Sequence, residues 1–87
     1  MDYRIMRESS ANKLDITQTS KRTGLTVSRL SNYELKKRTM PMPVKIAYIR
    51  LFKEDYKQED INTLEDTLSS KEKALYDEIK VKLELEK

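Results

Sequence analysis

Glycine occurs once in this chain of 87 residues, at Gly24, and proline twice, at Pro41 and Pro43. Hairpins draw on residues that tolerate positive φ or pre-set a turn. A sandwich or barrel of many short strands therefore has too few turn residues to be built here. Leu, Ile, Val and Tyr recur along the whole chain, which fits a compact helical domain better than a disordered one. The length allows one small domain with a modest core. The expected class is all-α.

Six helical segments follow from periodicity and caps. The first spans about residues 3–13, with Ile5, Met6 and Leu14 inward and Arg4, Arg7 and Glu8 outward. Asp15 or Thr17 can cap a short second helix that reaches Thr23, where Gly24 supplies a sharp stop. Thr26 caps a third helix that ends near Leu35 or Lys37. The basic stretch Lys36-Lys37-Arg38 leads to Pro41 and Pro43, which suit the entry to a fourth, largely apolar helix over 44–54. A fifth over 58–68 places Ile61, Leu64 and Leu68 at steps of three and four. Ser69 and Glu72 have capping-box spacing before a last helix that ends near Leu85. The arrangement predicted is a compact five-helix bundle over residues 1–68 plus a C-terminal amphipathic helix over 69–87.

Several chemistries are excluded by what is missing. The chain has no cysteine, hence no disulfide framework or thiolate metal site, and no histidine, the commonest zinc ligand and general base. No nucleophile–base pair or phosphate-cradling glycine loop can be picked out, so neither an enzyme nor a cofactor is expected. No signal peptide or membrane span is read, and the expected compartment is the cytoplasm of a bacterial or phage-infected cell. The charge is unevenly distributed. Residues 1–53 carry twelve Lys or Arg against four acids, a net +8, whereas 54–87 carry six Lys against eleven acids, a net −5. Such a division points to a polyanion partner for the first part only.

The most specific pattern is residues 20–34, SKRTGLTVSRLSNYE. Two helices that cross closely need a small residue on the first, a glycine at the turn four positions later, and apolar residues locking the second. Ser20, Gly24, Leu25, Leu30 and Tyr33 meet those needs in order. Tyr33 reads as core, Glu34 as structural, and Val27, Ser28, Arg29 and Asn32 are left outward.

Residues 20–38 resemble the lambda-repressor/Cro type of helix-turn-helix, the xenobiotic-response-element (XRE) family. The likeness extends more loosely to the first helix and to Val44–Phe52, leaving the last 20 or so residues outside it. The elements carrying the likeness are Ser20, Gly24-Leu25-Thr26, Leu30-Ser31-Asn32-Tyr33-Glu34 and Lys36-Lys37-Arg38 before Pro41. The chain departs from that pattern at Thr19-Ser20, where Leu-Ala is common. Lys36 stands where a glycine is common, which would lengthen the recognition helix, and Ile16 stands where a glutamine is common. The same stretch is locally similar to the mercury-resistance-regulator (MerR) type through Lys21, Thr23-Gly24, Thr26-Val27, Leu30 and Tyr33-Glu34, although the helices on either side favour the repressor type.

The resemblance implies a sequence-specific regulator of double-stranded DNA, such as a phage or mobile-element repressor, reading the major groove with residues 26–36. Val27, Ser28 and Asn32 would meet bases, with Arg29 an alternative reader of guanine. Asn32 paired with adenine would supply about 1–3 kcal/mol of discrimination. Thr17, Gln18, Lys21, Lys36, Lys37 and Arg38 would meet phosphates. Leu75, Ile79 and Leu83 form an i, i+4, i+8 stripe on the last helix. Packing on its own domain, self-association into a homodimer and docking of a regulatory protein partner all remain open for it. Two further functions stay open: a protein-interaction module on the same fold, and a DNA-bending accessory factor.

Overall fold

The computed structural model describes residues 2–53 and 55–85, and every regular element among them is helical. In order these are α1 (Tyr3–Ser9), α2 (Ile16–Thr23), α3 (Val27–Glu34), α4 (Met42–Phe52), α5 (Gln58–Asp66) and α6 (Ser70–Leu85). The radius of gyration, 12.0 Å, equals the roughly 12 Å expected of a globular chain this long.

Local chemistry sets most of the boundaries. Asp15, not Thr17, caps α2. Its carboxylate accepts from the Gln18 amide at 2.7 Å while the Gln18 side chain accepts from the Asp15 amide at 3.0 Å, a reciprocal capping box. Gly24 ends α2 with φ +77° and donates to the Ser20 carbonyl at 2.8 Å. The Thr26 side chain caps α3 by accepting from the Arg29 amide. At the start of α6 the Ser69 hydroxyl accepts from the Glu72 amide and the Glu72 carboxylate accepts from the Ser69 amide.

Four helices have boundaries that differ from expectation; the fifth ends at Asp66 rather than Leu68. The first helix ends at Ser9 rather than near Lys13: Ser10 is extended and Lys13 takes a positive φ of 46°. The third ends at Glu34, because Lys36 adopts φ +61°. Lys36 therefore does a glycine's work as a stop and does not lengthen the helix. The fourth begins two residues earlier, at Met42, with Pro43 inside its first turn, where a missing amide donor is harmless; Glu54 lies outside the described residues.

The core is built around α4. Val44, Ala47 and Tyr48 are fully buried and pack with Leu25, Leu30, Met40, Phe52, Ile79 and Leu83. The Tyr48 ring meets Tyr3 and Phe52 edge-on, with centroids 5.9 and 5.3 Å away, the favoured aromatic geometry. A second cluster on the other side of α4 joins Ile46, Ile61 and Tyr76, which ties in α5. All six helices share this interior, not five with an appended sixth: α6 packs on α4 and α2 and contributes Tyr76, Ile79 and Leu83.

One expected inward face is rotated. Ile5 is 61% exposed, whereas Tyr3 and Met6 pack against the core. At 100° per residue Ile5 lies about 200° from Tyr3, and so on the far side of α1. Arg7, expected outward, turns in instead. Its guanidinium donates to both carboxylate oxygens of the buried Glu34, at 2.8 and 2.9 Å, and to the Leu14 carbonyl at 3.2 Å. The Tyr48 hydroxyl donates to the same carboxylate. These bonds hold Arg7 charged, raising its pKa against the opposing effect of burial.

Burial is the main cause raising the Tyr48 pKa, reinforced by the Glu34 hydrogen bond. The Tyr76 hydroxyl is pushed up to about 12, first by burial and then by its hydrogen bond with Glu65. Both folded-state values exceed the ordinary tyrosine value of about 10. The neutral rings thus contribute stability that is complete below about pH 10 and declines as pH rises through 10 to 12 and beyond. The unfolding temperature should be flat with respect to these groups below about pH 10 and fall above it, less steeply in Tyr48→Phe.

Removing one partner of the buried pair is a sharper test. Glu34→Gln leaves Arg7 without its counter-charge and should destabilise the fold by about 3–5 kcal/mol in urea titration. The double variant Arg7→Met, Glu34→Leu should be less destabilised than Glu34→Gln. A Glu34→Gln protein as stable as wild type would remove the pair from any structural role.

Candidate functional site

The turn between α2 and α3 is closed by side chains that have few other ways to be satisfied. The Ser20 hydroxyl donates to the Leu25 carbonyl across the turn. Thr23 Oγ1 donates to the Thr19 carbonyl at 2.9 Å and accepts from the Leu25 amide at 3.3 Å. Thr19 Oγ1 donates to the Asp15 carbonyl at 2.8 Å. Thr19 and Thr23 are almost wholly buried, so the inner face of α2 is made of threonines whose hydroxyls are absorbed by their own helix. Thr19-Ser20, standing where Leu-Ala is common in the resembled pattern, makes this contact more polar, and the polarity is internally neutralised.

α3 is anchored from one side. Leu30 and Glu34 are buried, and Tyr33 is half-buried against the main core. Arg29 and Asn32 lie on the side of α3 opposite Glu34, with Ser28 about 120° from it. Ser28 and Arg29 are exposed and Asn32 is half-buried. Val27 shares the inward stripe but stands at the first helical position, where it is 39% exposed. The structure thus brings Val27, Ser28, Arg29 and Asn32 onto one short helix. Arg29 reaches along it to the Tyr33 hydroxyl at 3.5 Å.

Lys36, Lys37 and Arg38 are all exposed. The Asn32 carbonyl fastens them to the end of α3 by accepting from the Lys37 amide at 2.9 Å and the Arg38 amide at 3.3 Å. Lys36 and Arg38 line one wall of a surface groove of about 260 Å³ whose other residues include Tyr3, Tyr33 and Lys45. Lys45 was not singled out by sequence; its signal was its place in the first turn of the helix that follows the basic loop. On α2, Thr17, Gln18 and Lys21 are exposed, and Lys21 lies with Thr26 beside the N-terminal end of α3. The Gln18 carbonyl oxygen is committed to the α2 cap, so only its NH2 group can donate outward.

The charge on this part of the molecule is one-sided. From residue 16 to residue 53 there are nine Lys or Arg and one acid, Glu34. That acid is buried and paired with Arg7. The exposed charged side chains of residues 16–53 are therefore cationic, with the exposed carboxylate of Asp15 adjoining them at the start of α2.

The apolar stripe on α6 is placed differently. Ile79 and Leu83 are buried and Leu75 packs on the same core. As a self-association surface the stripe is therefore corrected: the domain's own interior covers it. The large apolar side chains that α6 leaves exposed are Val81 and Leu85.

No protein-family model, curated protein or solved structure matches the chain. Among the described residues no helix is long and apolar enough to cross a membrane, and no group of three or more His, Cys, Asp or Glu is placed to hold a metal ion.

Two turn positions give opposite predictions. An alanine at Gly24 would meet a left-handed backbone and a contact at 3.2 Å with the Lys82 side chain. Gly24→Ala should therefore lower stability by about 1–2 kcal/mol or more. Lys36→Gly should raise stability by up to about 1 kcal/mol by relieving positive φ, read as a higher urea midpoint. Should Gly24→Ala leave that midpoint unmoved, the turn does not depend on glycine.

Proposed function

We propose that the protein is a sequence-specific double-stranded DNA-binding regulator, a repressor of phage or mobile-element type. In this reading α2, the turn and α3 form a helix-turn-helix of lambda-repressor type. The observation that carries it is a short helix locked by Leu30 and Glu34, with Ser28, Arg29 and Asn32 turned away from the core and exposed lysines and arginines around it. The inner contacts fix the roll of α3, so that its outer side chains can be held against base edges without ordering a loop on binding.

The roles follow from position. Asn32 offers both a donor and an acceptor, the pair needed for a bidentate contact to adenine. In this reading Val27, on the inward stripe but exposed at the start of α3, meets a thymine methyl, Ser28 a base or phosphate, and Arg29 guanine. Lys36, Lys37 and Arg38 after α3, and Thr17, Gln18 and Lys21 on α2, serve the phosphates and set the register. Repression then follows from occupancy of an operator.

The test is fluorescence anisotropy with a duplex from the gene's own upstream region and a scrambled duplex, at two salt concentrations. Binding should be tighter to the native duplex and weaken with salt. Asn32→Ala should lose selectivity, about 1–3 kcal/mol at one position of the site. Lys37→Met should weaken both duplexes alike and reduce the salt slope by about 1. Equal binding to both duplexes, unaltered by Asn32→Ala, would sink the proposal that α3 reads this sequence.

A further inference from the structure

Gly24 has a close neighbour from the far end of the chain. The aliphatic stem of Lys82, on α6, crosses it. A Cβ built at Gly24 would stand 3.2 Å from Lys82 Cγ, 3.6 Å from Cε and 3.8 Å from Cδ. Lys82 shares an open depression at the turn with Ser20, Lys21 and Thr26. Lys21, Thr26 and Lys82 are exposed, and among the described residues neither lysine has an ion-pair partner. The stem lies on the bare backbone of the glycine while the ammonium stays in water, the usual way for a lysine to carry charge across a surface.

This position has a geometric meaning. α3 has eight residues and is about 12 Å long. It separates Lys21 and Lys82, at its N-terminal end, from Lys36, Lys37 and Arg38, at its C-terminal end. The major groove is about 12 Å wide between its phosphate walls, so a helix entering it meets both walls with cations. Without Lys82 the N-terminal end has one lysine against three cations at the other.

We propose that Lys82 is a phosphate-contacting residue, contributed to the DNA-binding surface by the last helix, whose four lysines are matched by four acids. This rests on the DNA-binding reading above. Gly24 then has two tasks: it turns the chain, and it leaves room for the lysine that crosses it.

The variant that separates charge from packing is Lys82→Met, which keeps a stem over Gly24 and removes the ammonium. The probe is a fluorescein-labelled duplex of mixed sequence, because a phosphate contact is indifferent to sequence. Lys82→Met should bind it more weakly than wild type at about 50 mM salt. The deficit should shrink by about 3.5-fold at about 200 mM, because one phosphate contact accounts for a slope of about −0.9. Its unfolding temperature should be unchanged. Lys82→Arg should bind like wild type, and so should Lys73→Met, whose lysine lies about 13 Å away along α6.

Lys37→Met serves as the reference. If it loses affinity while Lys82→Met binds as wild type at both salts, the inference about Lys82 is overturned and the DNA-binding reading stands. A deficit equal at both salts, with a lowered unfolding temperature, would make Lys82 only a cover for Gly24 and overturns it too. If wild type binds neither this duplex nor its own upstream region, the DNA-binding reading falls and the inference falls with it.

Discussion

The Glu34 carboxylate is the point from which the orientation of three helices is fixed. It receives two bonds from Arg7 of α1 and one from Tyr48 of α4, while its own backbone belongs to α3. A carboxylate removed from water is strongly unfavourable unless its oxygens are met by donors, and here three donors from two other helices converge on it. Arg7 extends the arrangement by bonding the Leu14 carbonyl, which fixes the link into α2. Apolar packing alone would tolerate some rolling of α3 about its axis. A directional set of charged hydrogen bonds tolerates much less, and the roll of α3 decides which side chains face outward.

Much of the fold could be read from residues whose chemistry is local. Gly24, Thr26 and the Ser69–Glu72 pair each act within a few positions of themselves, so their signals survive without knowledge of the tertiary structure. Arg7 is the opposite case. Hydropathy assigns a guanidinium outward, and only its partner on another helix, across the core, makes the inward position favourable. Ile5 was misplaced for the complementary reason: it is apolar, but Tyr3 and Met6 fix the face of α1 that meets Tyr48. Lys36 in a left-handed conformation is not legible either, because lysine has no special preference for it and the surrounding bonds from Tyr33 and Asn32 impose it.

The candidate surface was legible in part. The outward placement of Ser28 and Arg29 follows from the spacing of the inward Leu30 and Tyr33. Lys45 and Lys82 do not stand out in the sequence because each reaches the surface from a helix outside the two that make the turn. The stripe of α6 was ambiguous in sequence, since i, i+4, i+8 spacing describes any amphipathic helix and says nothing of what covers it. The burial of Ile79 and Leu83 resolves that point: the covering partner is the domain itself.

Closure of the interior by α6 has a consequence for taking the molecule apart. Leu25, in the α2–α3 turn, and Leu30, in α3, share their core with Ile79 and Leu83, so the short segment that carries the family likeness has no apolar floor of its own. Cut at residue 68, the chain would present a stripped wall of α4 and α2 to water, and the turn would lose the side chain that lies across its glycine. The smallest portable unit is therefore not the motif but nearly the entire sequence. Grafting residues 16–38 onto another scaffold would carry over the letters of the pattern and leave behind the packing that gives them a direction.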